Sequence, residues 1–352
     1  MRLSSSQRAF DASIKAQNNF DYRGIADLDH LRKGEPALSP LIEQLIEVRD
    51  AFNAALAVEG QHIVGDAPHS PFYLDYVDST VSNALAFHDA DHSFIGVTVP
   101  LVFDISKLAN RVSSSQAVVS GIGLSPSVDR EVLQLLLFWM LLGFIVSHEY
   151  AHHTHGHFSG AFDDGAEVAE ITGGALSGRL RRQALEADAD GWASYLTLNH
   201  WVLAGGRDAL LKLLQLEDAT VTVQDDVAFA CFVVAQAAFT FLREPEPLTG
   251  DTVYWRTHPP QPVRLHLMSR YVLKFSSEFR PGLRDTMTQP RYQALMNSVS
   301  QLMWTGEGQH AARWREQGEF LRSAEGAVYQ AALIAELDAF RASLRLRVHQ
   351  TE

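Results

Sequence analysis

VLQLLLFWMLLGFIVSHEYAHHTHGH occupies residues 132–157 and joins a long apolar run to a cluster of five histidines. An apolar run of about four turns predicts a buried core helix rather than a surface one. Residues four apart lie on one face of an α-helix, so His148 and His152 can be directed at one metal ion. Glu149 follows the first histidine and would face the same cleft. A helix would also fix both ligands before a metal arrives.

The five residues from His148 to His152 form an HExxH motif, which is the arrangement found in zinc hydrolases. Glu149 would then stand where a carboxylate can accept a proton from the attacking water. The alternative interpretation is a polar face on a partly buried helix. Two features argue against it: ionisable groups in a core need partners, and further histidines follow at His153, His155 and His157.

The third metal ligand separates the zinc families. A metzincin would carry HExxHxxGxxH, but here the glycine position holds His155 and the last histidine position holds Phe158. A glutamate on a later helix is the other solution. Glu186 lies in LEADADGW and could complete a His2Glu site, which leaves the fourth position for water.

Two acidic residues accompany Glu186 on the same predicted helix. Asp190 is four residues further along and shares its face, so it could orient a ligand or a neighbour. Asp188 is expected on the acidic, solvated face.

Residues 160–178, between the two helices, are rich in glycine and are expected to form a loop over the site.

A third element is the segment THPPQPVRL at residues 257–265. Its three prolines make a rigid entry to a helix that is expected to begin near Val263. His258 and Arg264 on such an entry could stabilise oxyanion charge and pair with a carboxylate. Without the other motifs, the segment would be an ordinary loop and helix start.

The combination of HEYAH, EADAD and THPPQPVRL resembles the gluzincin family that includes the HtpX heat-shock membrane protease and the type I CAAX prenyl protease. A fourth piece fits upstream, because residues 81–87 (VSNALAF) and 93–99 (SFIGVTV) resemble the family's hairpin with its substrate-pairing edge strand. All four pieces occur in the family's order and together span residues 80–275.

The resemblance implies that His148, His152 and Glu186 bind one zinc ion per chain and that Glu149 is the general base. The family's activity is the hydrolysis of peptide bonds. A zinc-dependent endopeptidase acting on a protein or peptide substrate is therefore the expected function.

The resemblance also supplies roles for the flanking motifs. His258 would stabilise the transition state, and Arg264 would pair with Asp190. The strand at Asn83, Ala84 and Leu85 would hold the substrate through its backbone.

The chain departs from the membrane members of this family because it carries no expected transmembrane span. The end of the motif helix also resembles the phage-exclusion peptidase Lit, in which HExxH is followed by a Gly-His pair such as Gly156-His157. One alternative function is therefore a host-targeted peptidase with a gated site, for which residues 160–178 and the N-terminal segment are candidate plugs. The other alternative is a catalytically silent zinc-binding interaction protein on a peptidase scaffold. His157 would support a ligand by the resemblance, whereas His153 and His155 are expected to be exposed.

The composition restricts partners and location. Of the 352 residues, 46% are hydrophobic, and 29 basic against 42 acidic residues give a net charge of −13. This charge argues against a nucleic-acid surface and against an anionic-membrane clamp. The apolar stretches 132–146 and 227–242 are shorter than the ~20 residues of a membrane span. A single cysteine, Cys231, fits a reducing compartment, and the expected location is cytoplasmic.

The pattern predicts a mainly α fold with a small β-sheet (α+β) of zincin type. Residues 1–75 are expected to form an N-terminal helical segment, 76–280 a zincin-like catalytic domain and 281–352 a C-terminal helical cover. Residues 60–79 and 113–127 are expected to be loops, since both carry turn-forming residues. The oligomeric state is left open.

Overall fold

The computed structural model describes residues 4–16, 21–34, 38–59, 72–89, 92–157, 176–242, 247–250, 252–304 and 308–350. These residues are mainly helical with one small mixed sheet, as the sequence predicts. The strands are β1 (Tyr22–Ile25), β2 (Phe72–Ser79), β3 (Ala84–Asp89) and β4 (His92–Thr98). The first helices are α1 (Ser5–Ala16), α2 (Leu28–Gly34), α3 (Ser39–Glu59), α4 (Val99–Ser113), α5 (Gln116–Ile122), α6 (Arg130–Thr154) and α7 (Leu176–Leu198). The later helices are α8 (Gly205–Leu213), α9 (Val221–Phe239), α10 (Gln261–Phe279), α11 (Leu283–Thr286), α12 (Gln289–Trp304), α13 (Gly308–Arg322) and α14 (Ala324–Gln350).

The chain divides into two compact units. The first comprises residues 1–104, 149–171 and 344–352, and the second comprises residues 105–148 and 172–343. The division passes within α6, between His148 and Glu149, so this continuous helix contributes to both units.

The sheet of the first unit has the strand order β1-β2-β4-β3. The outer pairs are antiparallel, whereas β2 and β4 run parallel with Phe72 opposite Ser93 and Val77 opposite Thr98. β3 lies at one end of this order and pairs with β4 alone among the described strands. One backbone edge of β3 is therefore without a strand partner in the described part of the chain.

Helices cover the sheet because its strands carry apolar side chains toward them. One core cluster joins α1 to the strands, through Phe10, Ile14, Tyr22, Val77, Phe87 and Phe94. From α3, Asn53 bonds the backbone of β2, donating to the Leu74 carbonyl at 3.0 Å and accepting from its amide at 2.7 Å. This amide side chain fixes the register of α3 against the strand.

The second unit is built around α7, α9 and α10. α9 is buried along almost its whole length, which accounts for its unbroken apolar sequence. A core cluster joins α7, α10 and α14 to the 3-10 turn Thr252–Trp255, through Ala184, Ala187, Val253, Val263, Leu267, Tyr329, Leu333 and Leu337. This packing places one face of α7 against the segment that leads into α10.

Two expected loops contain regular structure. Residues 72–79 form β2, although 60–79 were expected to be a loop, and the N-terminal segment is consequently not wholly helical. Asp75 interrupts the apolar pattern, but it is buried, accepts a 2.6 Å hydrogen bond from the Tyr73 hydroxyl and lies 3.6 Å from Arg49. The strand pairs in parallel with β4, a non-local contact that local sequence patterns do not reveal.

The stretch 113–127 contains helix α5. Ser115 caps it by accepting a hydrogen bond from the amide of Val118, and Gly123 ends it with a left-handed φ of 94°. The serine and glycine that suggested a loop are therefore the helix's own boundary residues.

Candidate metal centre

Helix α6 presents the HExxH residues as its period predicts. His148, Glu149 and His152 are all buried and lie within about one turn. The two histidines stack along one face because they are four residues apart. Their relative position is set by the helix itself, whose residues 130–154 are continuous.

Helix α7 brings two carboxylates to the two nitrogens of His148. Glu186 Oε2 lies 3.2 Å from Nε2, and Asp190 Oδ1 lies 3.0 Å from Nδ1. Both acids are almost completely buried, at 3% and 1% exposure. Because Glu186 and Asp190 are about one turn apart on α7, each carboxylate reaches a different nitrogen of the same imidazole ring.

His148, His152 and Glu186 can hold one metal ion. Each residue offers a ligand atom, and these three atoms lie within 4.8 Å of one another. Tetrahedral zinc with bonds of about 2.0–2.1 Å requires ligand atoms roughly 3.3 Å apart. The 3.2 Å separation of His148 Nε2 and Glu186 Oε2 agrees with that requirement. The donor set of two imidazoles and one carboxylate also fits a transition-metal ion such as zinc.

Burial and charge act in opposite directions on this cluster. Burial lowers the pKa of His148, but the carboxylates of Asp190 and Glu186 outweigh it and raise that pKa to about 10. Burial raises the pKa of Asp190, but the guanidinium of Arg264 and the imidazole of His148 lower it to about 2. Without a metal, the positive charge of a protonated His148 compensates the buried carboxylates.

The segment before α10 supplies His258 and Arg264. His258 Nε2 lies 3.2 Å from Glu186 Oε2, and its Nδ1 is hydrogen-bonded to the Thr257 hydroxyl at 2.8 Å. α10 begins at Gln261, two residues before the expected start near Val263, with Pro262 in its first turn. Arg264 pairs with Asp190 through two hydrogen bonds of 2.7 Å. The histidine ring keeps 28% of its surface exposed, so it lies at the solvent side of the cluster.

The second candidate ligand, His152, also has a partner for its ring. His157 Nδ1 lies 2.8 Å from His152 Nδ1, so one of these nitrogens donates to the other. Gly156 makes this contact possible because its φ of 64° turns the chain at the end of α6. The amide of His157 then bonds back to the carbonyl of His152 at 3.0 Å. The two candidate ligands, His148 and His152, thus each have Nδ1 engaged by a neighbouring side chain. This leaves Nε2 of each ring as the nitrogen available for a metal.

His153 does not lie on the surface, contrary to the expectation. It is 6% exposed, and its Nε2 lies 2.9 Å from the carbonyl oxygen of Phe94 on β4. Its ring also packs edge-on against Phe72 of β2, with centroids 5.4 Å apart. Burial and the neighbouring His88 lower the pKa of His153 to about 3. The residue after the motif is therefore a neutral anchor between α6 and the sheet.

Asp188 is buried as well, and the expectation of a solvated position is wrong. It is 2% exposed and accepts a 2.7 Å hydrogen bond from Arg341 of α14. The sequence showed an acidic helix face, but α14 covers that face and supplies the compensating charge.

The residues expected to pair with substrate lie at the start of β3. Ala84 and Leu85 belong to this edge strand and are paired with Val97 and Gly96 of β4. Asn83 immediately precedes it, and its backbone is bonded to Thr98 through both the amide and the carbonyl. β3 is therefore held along the edge that faces β4.

Sequence reasoning missed Gln183, which positions the loop before His258. Its side-chain amide donates to the carbonyls of Val253 at 2.9 Å and Arg256 at 3.1 Å. The tyrosine hydroxyl of Tyr329 donates to its carbonyl oxygen. Gln183 is three residues before Glu186, so helical spacing could have marked it as a residue of the same face.

Comparisons of the chain with family models, with curated proteins and with solved structures find no match. The likeness to gluzincins therefore stands on the motifs alone. The expected loop at 160–178 lies mostly outside the described residues, and its last three residues belong to α7.

Two of the described helices, α6 and α9, are long and apolar enough to cross a membrane. Most of the apolar part of each is buried inside the protein, and core helices of soluble proteins share these properties. The two helices are therefore weak evidence for a membrane location.

Proposed function

We propose that this chain is a zinc-dependent endopeptidase of zincin type. The observation that carries the proposal is the buried cluster of His148, His152 and Glu186, with Glu149 beside the first of them on α6. A site that served only to bind metal would not need a further buried carboxylate next to its ligands, because such a group is costly to bury.

His148, His152 and Glu186 would hold the zinc ion. When bound, zinc supplies Lewis acidity and lowers the pKa of water toward neutrality. Glu149 acts as the general base that accepts the proton of the attacking water and passes it to the leaving amine. His258 donates from Nε2 to the oxygen on which negative charge develops. Asp190 keeps the ring of His148 in place, and Arg264 keeps Asp190 ionised.

The sheet suggests how a substrate is held. Among the described residues, no strand pairs with the outer edge of β3, so its backbone donors and acceptors would be offered to an extended peptide. β4, the neighbour of β3, meets α6 through the Phe94 carbonyl and His153. This arrangement favours cleavage within extended or unfolded segments, because a folded substrate could not add a strand.

The test combines metal content with cleavage of a denatured model protein. Wild type should contain close to one zinc per chain and cleave the substrate. Glu186→Ala should lose most of the zinc, whereas Glu149→Gln should keep the zinc and lose cleavage. Glu131→Gln is the matched control, because Glu131 is an exposed glutamate in the first turn of the same helix.

Each part of the proposal has an outcome that contradicts it. Wild-type turnover by Glu149→Gln would exclude this residue as the general base. Zinc binding without cleavage of any unfolded protein would favour the alternative of a catalytically silent zinc-binding interaction protein. Absence of zinc after reconstitution of wild type would remove the peptidase proposal altogether.

A further inference from the structure

Trp255 differs from the other tryptophans of the chain because it is turned outward. It is 54% exposed, whereas the other five are buried or half-buried. The two residues before it point inward: Val253 is fully buried, and the ring of Tyr254 meets that of Tyr329 at 5.5 Å. The turn thus uses two apolar side chains as anchors and leaves the third and largest in solvent.

The exposed indole is held in place. The guanidinium of Arg179 lies over the ring at 4.1 Å from its centroid and donates to the Trp255 carbonyl at 3.2 Å. Gln183 bonds the carbonyls on either side, those of Val253 and Arg256. The ordering of this side chain, which a binding partner would otherwise have to bring about, is therefore already present.

The position of Trp255 connects it with the candidate metal centre. Arg179, Gln183 and Glu186 occupy successive turns on one face of α7, and each contacts the segment 253–258. His258, which meets Glu186, is three residues after Trp255. Three residues span at most about 11 Å between Cα atoms. An extended peptide covers that distance in roughly three residues.

We propose that Trp255 is the specificity-determining residue of the site and binds an apolar side chain of the peptide substrate. The inference rests on the proposed function, since it assumes a peptide at the metal centre. The bound side chain is aromatic or aliphatic and lies within about three residues of the cleaved bond. Exposed, well-ordered tryptophans contribute strongly to binding because they offer a large apolar surface at little entropic cost.

The first experiment compares cleavage of a random-sequence peptide pool by wild type, Trp255→Ala and Trp255→Phe. Wild type should prefer apolar residues at one fixed position relative to the cleaved bond. Trp255→Ala should lose that preference through a rise in KM of roughly tenfold or more with little change in kcat. Trp255→Phe should keep most of it. Phe279→Leu is the control, because Phe279 is a partly exposed aromatic residue at the end of α10.

A second readout does not need turnover. Peptides from the same pool that bind zinc-loaded Glu149→Gln protein should be enriched in apolar residues, and Trp255→Ala in that background should abolish the enrichment. Equal enrichment with and without Trp255, or an unchanged cleavage preference, would overturn the inference. If wild type cleaves nothing while Trp255 still governs peptide binding, only the proposed hydrolysis fails.

Discussion

Arg264 donates two hydrogen bonds to Asp190, from Nε to Oδ2 and from Nη2 to Oδ1, each 2.7 Å long. The same Oδ1 of Asp190 lies 3.0 Å from Nδ1 of His148. Arg264 therefore holds the carboxylate of Asp190 in place, and Asp190 in turn orients the candidate metal ligand His148. All three groups are buried, so each depends on the others for its compensating charge.

Replacement of Arg264 should weaken metal binding and stability together. Arg264→Met leaves Asp190 buried without its main cationic partner, which should cost about 3–5 kcal/mol in the free energy of unfolding. The affinity for zinc should fall by about 10–100-fold, as expected when the support of a metal ligand is lost. Arg264→Lys should recover only part of both losses, because lysine cannot form the two-pronged pair.

Urea unfolding and zinc titration of these variants would measure the two effects. Arg270→Met is the control, since Arg270 is exposed on the same helix. Unchanged zinc affinity in Arg264→Met would show that the pair supports the fold alone.

Metal uptake should release a proton from His148. The carboxylates of Asp190 and Glu186 raise its pKa to about 10 against the effect of burial, so the metal-free site holds a protonated imidazole at neutral pH. Since Nε2 must be deprotonated to bind zinc, affinity should rise with pH by up to about tenfold per unit below pH 10. The stability of the metal-free protein should depend on pH in the opposite direction. The raised pKa stabilises it fully below pH 6.5, and that contribution is lost as pH rises through about 10.

Calorimetry of zinc binding at pH 7 in buffers with different ionisation heats would count the released protons. Asp190→Asn should release fewer, because it removes one of the two carboxylates that hold the proton. An equal number of protons from wild type and Asp190→Asn would contradict the role assigned to His148.

The sequence predicted those parts of the site that depend on local spacing. The i, i+4 pairs His148/His152 and Glu186/Asp190 follow from helix geometry and lie where that geometry puts them. The burial of Asp188 and His153 could not be predicted in this way, because their partners Arg341 and Phe94 are far away in the chain. β2 was missed for the same reason, since a parallel pairing with β4 leaves no local pattern.

Two helical glycines should respond to alanine with opposite signs. A Cβ on Gly191 of α7 would stand 2.4 Å from Cζ of Tyr271, and the guanidinium of Arg341 lies 4.7 Å from the centroid of that ring. The ring must shift to make room, so Gly191→Ala should destabilise the protein by about 1–3 kcal/mol. Among the residues that the structure describes, none has an atom within 4 Å of a Cβ placed on Gly143 of α6. Gly143→Ala should therefore stabilise by about 0.5–1 kcal/mol through helix propensity.

Urea unfolding followed by circular dichroism would give both free energies from the same assay. Gly143→Ala serves as the matched control for Gly191→Ala. Stabilisation by both substitutions would mean that Tyr271 moves aside more easily than the packing indicates, whereas destabilisation by both would contradict the prediction for Gly143.

The pair of Arg341 and Asp188 should fasten α14 to α7. Asp188 is 2% exposed and Arg341 donates to it at 2.7 Å, so Arg341→Met would leave a carboxylate buried without this partner. We expect a loss of about 1–3 kcal/mol in the free energy of unfolding, less than at Arg264 because Arg341 is partly solvated. Asp188→Asn combined with Arg341→Met should recover part of that loss, since the carboxylate charge that Arg341 compensates is then absent. Urea unfolding of both single variants and the double variant gives the coupling energy, and strictly additive losses would show that the two side chains do not stabilise each other.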